Sequence, residues 1–424
     1  MKKKLTPLEK SWILYDIGNS AFILLVATLV PIYFESLTSA AGMEDRYLSL
    51  WSFAGSISTA LVAVIGPVCG TLADQRGFKK PLFLISMLLG AIGCALLGGP
   101  WGCMGFLGLF IVTKVGYSSS LVFYDSMLPE ITDSETMDDL SSKGYAWGYI
   151  GSVIPFVICL VLVLFGESFG ISVGTAMVLA FAVTALWWLG CSVPLLSKYR
   201  QTAYVQKKGN AMTASLKRLM QTFREAKQHK HIFLYLIAFF FFIDGVYTII
   251  DLATAYGAAL GLDTTGLLLA LLVTQIVAFP FSILFGRLSS RYDTGKLIKI
   301  CIGCYTFITL FAVFLQSQWQ FWVLAVLVGM FQGGIQALSR SYLGKIIPPE
   351  QSGEYYGLMD ICGKGASFVG TMLVGTVSAL TVGVEWNIFG CKLQGESIAV
   401  GTLVILFGIG YVLFCKADKM AKAL

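Results

Sequence analysis

The sequence predicts an all-α membrane protein with twelve transmembrane helices, arranged as two pseudo-symmetric halves of six helices each. Three observations predict this fold. The chain is 56% hydrophobic and 13% charged, with a mean hydropathy of +0.77, whereas about 25% of the residues in a soluble domain are charged. Apolar runs of about 20 residues, each long enough to cross a hydrocarbon core of roughly 30 Å, recur along the whole chain. A short polar motif also occurs twice, about half a chain apart.

The apolar runs define the elements in chain order. They are too long and too continuous for the strands of a membrane β-barrel, which alternate over about ten residues. The first run contains Asp16, Asn19 and Pro31 and exceeds the apolar core of a signal peptide, so we expect a membrane helix there. The predicted spans are 11–36, 47–73, 80–99, 104–128, 144–166, 170–196, 231–257, 264–290, 296–316, 320–346, 354–382 and 397–415.

The chain divides into two predicted halves and a linker. Residues 1–196 form the N-terminal six-helix half and residues 231–424 form the C-terminal six-helix half. Residues 197–230 are polar and basic and are predicted to be a cytoplasmic linker. Within this linker, residues 211–227 have the composition of an amphipathic surface helix, while a solvated linker is the other interpretation and the one that we favour.

Lysine and arginine residues predict the orientation, because cytoplasmic loops carry an excess of them. With both termini in the cytoplasm, 25 of the 30 lysine and arginine residues lie on the cytoplasmic side, and only Arg46 and Lys392 lie outside. The net charge of +6 is therefore explained by membrane topology. It is no argument for a nucleic-acid partner.

The repeated motif lies in a predicted cytoplasmic loop of each half. Its first copy reads GTLADQRGFKK at residues 70–80, and a degenerate copy reads GRLSSRYDTGK at residues 286–296, which is 216 residues later. Two such copies are typical of a duplicated six-helix unit. The first copy resembles the loop between the second and third helices of the major facilitator superfamily of secondary transporters. This resemblance implies the major facilitator fold.

Charged side chains within the spans indicate a polar cavity. Each costs about 2.5–3.5 kcal/mol at the centre of a bilayer, so we expect it to face a cavity or a partner. In the superfamily that the chain resembles, the first, fourth, seventh and tenth helices line the central cavity, and six of the eight charged residues fall on those helices. The eight residues are Asp16, Lys114, Asp125, Asp244, Asp251, Arg340, Asp360 and Lys364.

Four polar side chains are predicted near the middle of the membrane from the helical rise of about 1.5 Å per residue: Lys114, Asp244, Gln275 and Gln332. Lys114 and Asp244 belong to opposite halves, so together they are expected to bind a zwitterionic solute. Asp244 and Asp251 are the predicted carriers of a coupling proton, because both histidines lie at the cytoplasmic edge. The alternative is that the charges form structural ion pairs that shape the cavity.

A cytoplasmic gate is predicted from the charges near the inner ends of the spans. Such charges would pair while the cavity is open to the outside, and a purely structural role is the alternative. The predicted gate residues are Asp74, Arg76, Asp125, Asp360 and Lys364, with Arg340 either beside them or bound to a substrate carboxylate.

The first and tenth spans carry the motifs of a narrower family. The first contains YDIGNSAF at residues 15–22, and the tenth contains GGIQALSRS at residues 333–341. These strings resemble motifs of the bacterial relatives of the autophagy-related vacuolar amino-acid effluxers. The resemblance implies export of amino acids or similar small solutes. The motif residues Asp16, Asn19, Gln336 and Arg340 join the predicted substrate-binding or coupling residues.

The sequence lacks the motifs of enzymes and of ATP-driven transporters. It has no G-x-x-x-x-G-K-[ST] phosphate loop, no nucleophile elbow and no zinc-ligand spacing. We therefore expect a monomeric secondary transporter in a bacterial inner (plasma) membrane, with both termini cytoplasmic and no metal or cofactor. It is predicted to move an amino acid or related zwitterion by alternating access with proton-coupled efflux. The alternative is a lipid or amphiphile transporter, such as a flippase, or a non-transporting receptor on the same fold.

Overall fold

A computed structural model describes residues 4–206, 211–224, 229–381, 386–388 and 391–423. In this part of the chain, long helices dominate, and a short antiparallel hairpin of β1 (Trp386–Ile388) and β2 (Cys391–Leu393) precedes the last two helices. The helices are α1 (Pro7–Ala40), α2 (Tyr47–Ala73), α3 (Lys79–Leu96), α4 (Gly102–Ser126), α5 (Leu128–Ile131), α6 (Met137–Phe165), α7 (Val173–Lys198), α8 (Ala211–Arg224), α9 (Lys230–Ala259), α10 (Thr264–Leu288), α11 (Thr294–Val313), α12 (Gln318–Ile346), α13 (Ser352–Leu380), α14 (Gly395–Gly401) and α15 (Leu403–Ala421).

Among the described residues, eleven helical segments are long and apolar enough to cross a membrane. α13, with 29 residues, occupies the place of the eleventh predicted span. α14 and α15 together occupy the place of the twelfth. The predicted all-helical membrane fold is therefore confirmed.

Several helices begin at side chains that accept backbone hydrogen bonds. The hydroxyl of Thr6 accepts the N–H of Glu9, and the carboxylate of Glu9 accepts the N–H of Thr6, so α1 starts with a capping box. Asp263 and Asp293 each accept an N–H from the first turns of α10 and α11. Local sequence thus sets where these helices begin.

The helices form two compact units. The first unit contains Met1–Asp133, Trp147–Leu219 and Pro348–Gly357. The second unit contains Ser134–Ala146, Met220–Ile347 and Leu358–Leu424. The start of α6 therefore belongs to the second unit and the start of α13 to the first. The division into halves at residues 197–230 stays a prediction.

Helix packing repeats from one unit to the other. In the first unit, α1 packs against α7, and α4 packs against α2 and α3. In the second unit, α9 packs against α15, and α12 packs against α10 and α11. The first helix of each set thus meets the sixth, and the fourth meets the second and third. This repetition is the structural equivalent of the duplicated motif.

Candidate functional site

The loop between α2 and α3 binds the start of α13. Asp74 directly follows α2 and is fully buried, and its two carboxylate oxygens accept the backbone N–H groups of Gly353 at 2.7 Å and Glu354 at 2.9 Å. In the first turn of a helix such N–H groups have no intrahelical acceptor, and the helix dipole favours an anion there. The carboxylate therefore satisfies two donors and stabilises the helix start.

Two glycines allow these backbones to meet. A Cβ atom on Gly70 would lie 2.2 Å from the carbonyl oxygen of Gly353, and a Cβ atom on Gly353 would lie 2.4 Å from the carbonyl oxygen of Gly70. A larger residue at either position would push α13 away from α2. Gly70 and Asp74, which belong to the same motif, thus both contact the start of α13.

A buried lysine completes the cluster. Nζ of Lys79 lies 2.6 Å from a carboxylate oxygen of Glu130, 2.8 Å from the hydroxyl of Ser352 and 3.8 Å from Asp74. One ammonium group thus compensates two buried carboxylates. Burial raises the pKa of Asp74 to about 7, although Lys79 and the backbone N–H groups act to lower it.

The chain after α7 packs against the same loop. The N–H of Val205 donates to the carbonyl of Asp74 at 2.8 Å. The N–H groups of Thr202 and Ala203 donate to the second carboxylate oxygen of Glu130 at 2.7 and 3.2 Å. The backbone of the first part of the linker is therefore bound to this loop and to α5.

The linker also contains a helix, α8. Gln75 donates its amide N–H to the hydroxyl of the buried Ser215 at 2.9 Å, and Nε of Arg218 lies 3.2 Å from a carboxylate oxygen of Glu354. Glu354 is itself fully buried. The favoured interpretation of a solvated linker is wrong for residues 211–224, because this segment is helical and contacts both the loop and the start of α13.

The other predicted gate residues lie on the loop after α2, on α4 and on α13. Arg76 is exposed, and its guanidinium lies 5.3 Å from the ring centre of Tyr204. Asp360 and Lys364 form an ion pair one turn apart on α13. Asp125 is half-buried in the last turn of α4. Their roles in gating stay predictions.

Arg340 binds the first turns of α6. Its Nε donates to the hydroxyl of Ser141 at 2.9 Å, and its Nη2 donates to the carbonyl of Ser141 at 3.0 Å. The guanidinium also lies 4.3 Å from the ring centre of Tyr145. These contacts hold α6 against α12, and a contact of Arg340 with substrate stays a prediction.

Asp244 is the most deeply buried of the predicted substrate and coupling residues, with no exposed surface. One carboxylate oxygen accepts the hydroxyl of Thr248 at 3.2 Å and the backbone N–H of Gly370 in α13 at 2.9 Å. The other oxygen has no hydrogen-bond partner among the side chains that the structure describes, and none of the described basic groups lies within ion-pair distance. A Cβ atom on Gly370 would lie 2.4 Å from the carboxylate, so this contact requires glycine.

Gln275 and Gln332 line one cavity between α9, α10 and α12. It encloses about 450 Å³, counting its open mouth. Of its twelve lining residues, Thr274 and the two glutamines are polar, and the other nine are apolar, among them Ile249 and Phe321. The amide oxygen of Gln332 is buried and has no partner among the described residues. The cavity therefore offers neutral hydrogen-bonding groups on an apolar wall.

The two motif residues of α1 are buried within the first unit. Asp16 is 6% exposed, and the amide of Asn19 donates to the carbonyl of Tyr15 at 3.1 Å. The hydroxyl of Tyr15 donates to Ser120 of α4 at 2.8 Å. Part of this motif thus fastens α1 to α4.

The remaining predicted residues lie on α4, α9 and α12. Lys114 is half-buried with Nζ 5.9 Å from the ring centre of Phe110, Asp251 is exposed, and Gln336 is half-buried. The roles assigned to them stay predictions. Within the described part of the chain, no group of three or more His, Cys, Asp or Glu side chains could hold a metal ion.

Sequence reasoning missed several buried charges, among them Lys79, Glu130 and Asp138. These three lie in or beside predicted cytoplasmic loops, where charge is ordinarily solvated. One signal was present: residues 129–139 contain five acidic residues and no basic one, on a side of the membrane that is otherwise basic. Acidic residues in such a place indicate partners in a basic loop.

Comparison with known sequences identifies relatives along most of the chain. The profile of a family described as "Vacuole effluxer Atg22 like" matches residues 40–389. The chain is 37% identical over 421 residues to an uncharacterized MFS-type transporter, YxiO, of Bacillus subtilis, which covers 97% of this chain and 95% of that protein. It is 23% identical to autophagy-related protein 22 of Coccidioides immitis, over 89% of this chain and 75% of that protein.

Solved structures show the same fold at low identity. The major facilitator transporter FucP in the outward conformation aligns with a TM-score of 0.72 at 14% identity, over 97% of this chain and 98% of that one. The proton:xylose symporter XylE aligns with a TM-score of 0.67 at 12% identity, over 97% and 94%. The chain therefore has the major facilitator fold and belongs to the Atg22-like family of this superfamily, whose members are membrane transporters and not enzymes.

Proposed function

We propose that this transporter exports a small polar solute, an amino acid or related zwitterion, by alternating access coupled to a proton carried on Asp244. The observation that carries the proposal is the environment of Asp244. It is a fully buried carboxylate with one oxygen that lacks a hydrogen-bond partner among the described residues. The solute class and the direction rest on the family.

A buried carboxylate in a membrane helix is costly when charged, unless an opposite charge compensates it. No described cation is close enough to Asp244 for an ion pair, and a proton is the smallest ligand that would neutralise it. The same carboxylate accepts the backbone N–H of Gly370. Gain or loss of the proton would change the strength of that bond and so link protonation to the position of α13.

The solute is expected to bind partly in the cavity lined by Gln275 and Gln332. Their amides would donate to and accept from polar groups of the solute. Lys114 is expected to bind its carboxylate, with Asp16, Asn19, Gln336 and Arg340 as further polar groups.

A lipid-like or amphiphilic solute is the second candidate. Nine of the twelve residues that line the cavity are apolar, which suits an aliphatic chain.

The proposal also includes the location and state of the protein: a bacterial plasma membrane, a monomer, and both termini in the cytoplasm. The similarity to the Bacillus subtilis transporter supports the location in a bacterial plasma membrane.

The test is transport by the purified protein in proteoliposomes with an imposed pH gradient. Labelled amino acids and a fluorescent lipid analogue are offered in parallel. We expect amino-acid accumulation, and we expect Asp244→Asn to abolish it while exchange of solute at equal pH persists. Asp45→Asn, at an exposed position before α2, is the control and should retain accumulation. Full accumulation by Asp244→Asn, or transport of the lipid analogue alone, would contradict the proposal.

Gly370 offers an independent test of the same site. Gly370→Ala places a methyl group against the carboxylate of Asp244 and should reduce gradient-driven accumulation as Asp244→Asn does. Gly375→Ala is the matched control, because a Cβ atom there would have no neighbour within 4 Å. Equal transport by the two glycine variants would argue against a role of the Asp244–Gly370 contact.

A further inference from the structure

The second copy of the repeated motif lacks the charges that bind a helix start in the first unit. With the offset of 216 residues, Asp74 corresponds to Ser290 and Lys79 to Gly295. Its first glycine is retained as Gly286. A Cβ atom on Gly286 would lie 2.8 Å from Cβ of Ser142, in the second turn of α6. The second loop thus approaches a helix start as the first does, without an acidic residue at the position of Asp74.

The missing carboxylate is supplied by the helix. Asp138 lies in the first turn of α6 and is 2% exposed. One of its oxygens accepts the hydroxyl of Ser341 at 2.5 Å. The other accepts the hydroxyl of Thr294 at 2.6 Å and the ammonium of Lys345 at 2.6 Å. Thr294 is the first residue of α11, within the motif copy, and the other two donors are at the end of α12.

The next turn of α6 continues this attachment. The hydroxyl of Ser141 donates to the carbonyl of Ala337 at 2.7 Å and accepts from Arg340. Lys345 also lies 2.9 Å from the hydroxyl of Thr294, so the donors are bonded to each other as well as to Asp138. The start of α6 is therefore held over two turns by α11 and α12.

We propose that Asp138 is a positioning residue of the transport cycle, which holds the start of α6 against α11 and α12 while the cytoplasmic side is closed and releases it when that side opens. It is the counterpart of Asp74 with the roles exchanged. At Asp74 the loop carries the carboxylate and the helix start donates, whereas at Asp138 the helix start carries the carboxylate and side chains of α11 and α12 donate. The proposal rests on alternating access and is independent of the solute and the coupling ion.

The chemistry of the cluster suits a contact that forms and breaks. Charge-assisted hydrogen bonds are about twice as strong as neutral ones, so the closed contact is favourable. The side chain of Lys345 is 23% exposed, so part of it is in contact with water. On separation, water replaces the protein partners.

The test follows the exposure of the start of α6 in the full-length protein. Ser142→Cys serves as the reporter, because Ser142 is buried and its hydroxyl has no partner among the described residues. The rate of its reaction with N-ethylmaleimide in inside-out vesicles is measured by mass spectrometry. Asp138→Asn is expected to raise this rate about tenfold, since it removes the charge from two hydroxyl bonds and an ion pair.

Asp139→Asn is the matched control. Asp139 is the next residue, its side chain is 37% exposed, and it pairs with Lys143 on its own helix. Its variant should leave the labelling rate unchanged. If Asp138→Asn fails to fold, Thr294→Val and Ser341→Ala each remove one donor and should each raise the rate about threefold.

A second reporter separates a shift in the transport cycle from local loosening. Ala253 lines the cavity of the second unit, and Ala253→Cys is expected to react with a maleimide added outside right-side-out vesicles while the cavity is open to that side. Alternating access predicts that its labelling falls as that of Ser142→Cys rises. Equal rates for Asp138→Asn and Asp139→Asn, or a rise at the inner reporter without a fall at the outer one, would overturn the proposal. A different outcome concerns the proposed function alone. If Asp138→Asn produces the expected labelling changes but the wild-type protein transports no amino acid, the proposed solute or proton coupling is wrong and the role of Asp138 stands.

Discussion

At Asp74, burial and hydrogen bonding act in opposite directions on one carboxylate. The N–H groups of Gly353 and Glu354 and the ammonium of Lys79 favour the charged form, whereas burial favours the neutral form. Burial is the larger effect and raises the pKa to about 7. The residue therefore titrates near physiological pH, which a loop aspartate in water would not do.

This raised pKa predicts a pH dependence of stability. Because the folded protein binds the proton of Asp74 more tightly than the unfolded chain does, the stabilisation is complete below about pH 4 and is lost as the pH rises through about 7. We expect the midpoint of thermal unfolding in detergent to fall more between pH 5 and 8 for the wild type than for Asp74→Asn. The exposed Asp45→Asn is the control and should follow the wild type. If the midpoint changes with pH in the same way in all three proteins, Asp74 does not contribute to the pH dependence of stability.

At the scale of elements, the linker packs against the loop between α2 and α3 and against the start of α13. The backbone of residues 202–205 binds Glu130 and the carbonyl of Asp74, and α8 reaches Gln75 and Glu354. A basic linker is ordinarily a solvated connection. Here one of its arginines compensates a buried glutamate, so α8 is docked by a charge pair as well as by packing.

The docking of α8 is testable by hydrogen–deuterium exchange. Arg218→Glu places two carboxylates together and should increase amide exchange in residues 211–219 several-fold, because α8 then leaves its site. Lys217→Glu changes the charge equally at an exposed neighbour and should have little effect. The pair Arg218→Glu with Glu354→Arg should restore protection. Unchanged exchange in Arg218→Glu would show that α8 is held without this pair.

At the scale of the whole molecule, the linker and the loop between α2 and α3 lie on the same side of the membrane, because the N–H of Val205 in the linker donates to the carbonyl of Asp74 in the loop. The excess of lysine and arginine predicts that this side is the cytoplasm. Gln206→Cys, exposed in the linker, should therefore resist a membrane-impermeant maleimide in intact cells and react in inside-out vesicles. Glu167→Cys, exposed between α6 and α7, should behave in the opposite way. Labelling of the linker in intact cells would reverse the predicted orientation.

The sequence by itself determined the membrane class, the helices and the duplication. Crossing a bilayer is a local requirement, since a helix satisfies its own backbone groups and about 20 apolar residues span the core. The motifs at residues 15–22 and 333–341 also identified the family, which the comparison confirmed. These features can be found without knowing which helices touch.

Only the tertiary structure decided which charges meet. The sequence grouped Asp74 with Arg76, two residues away, but Arg76 is exposed and the buried cation is Lys79. Asp74 binds Glu354 across 280 residues, Asp138 binds Lys345 across 207, and Asp244 binds Gly370 across 126. Such partners are chosen by the close approach of helices at glycines and by the cost of burying an uncompensated charge. Both depend on three-dimensional packing, and neither leaves a periodic signal in a single sequence.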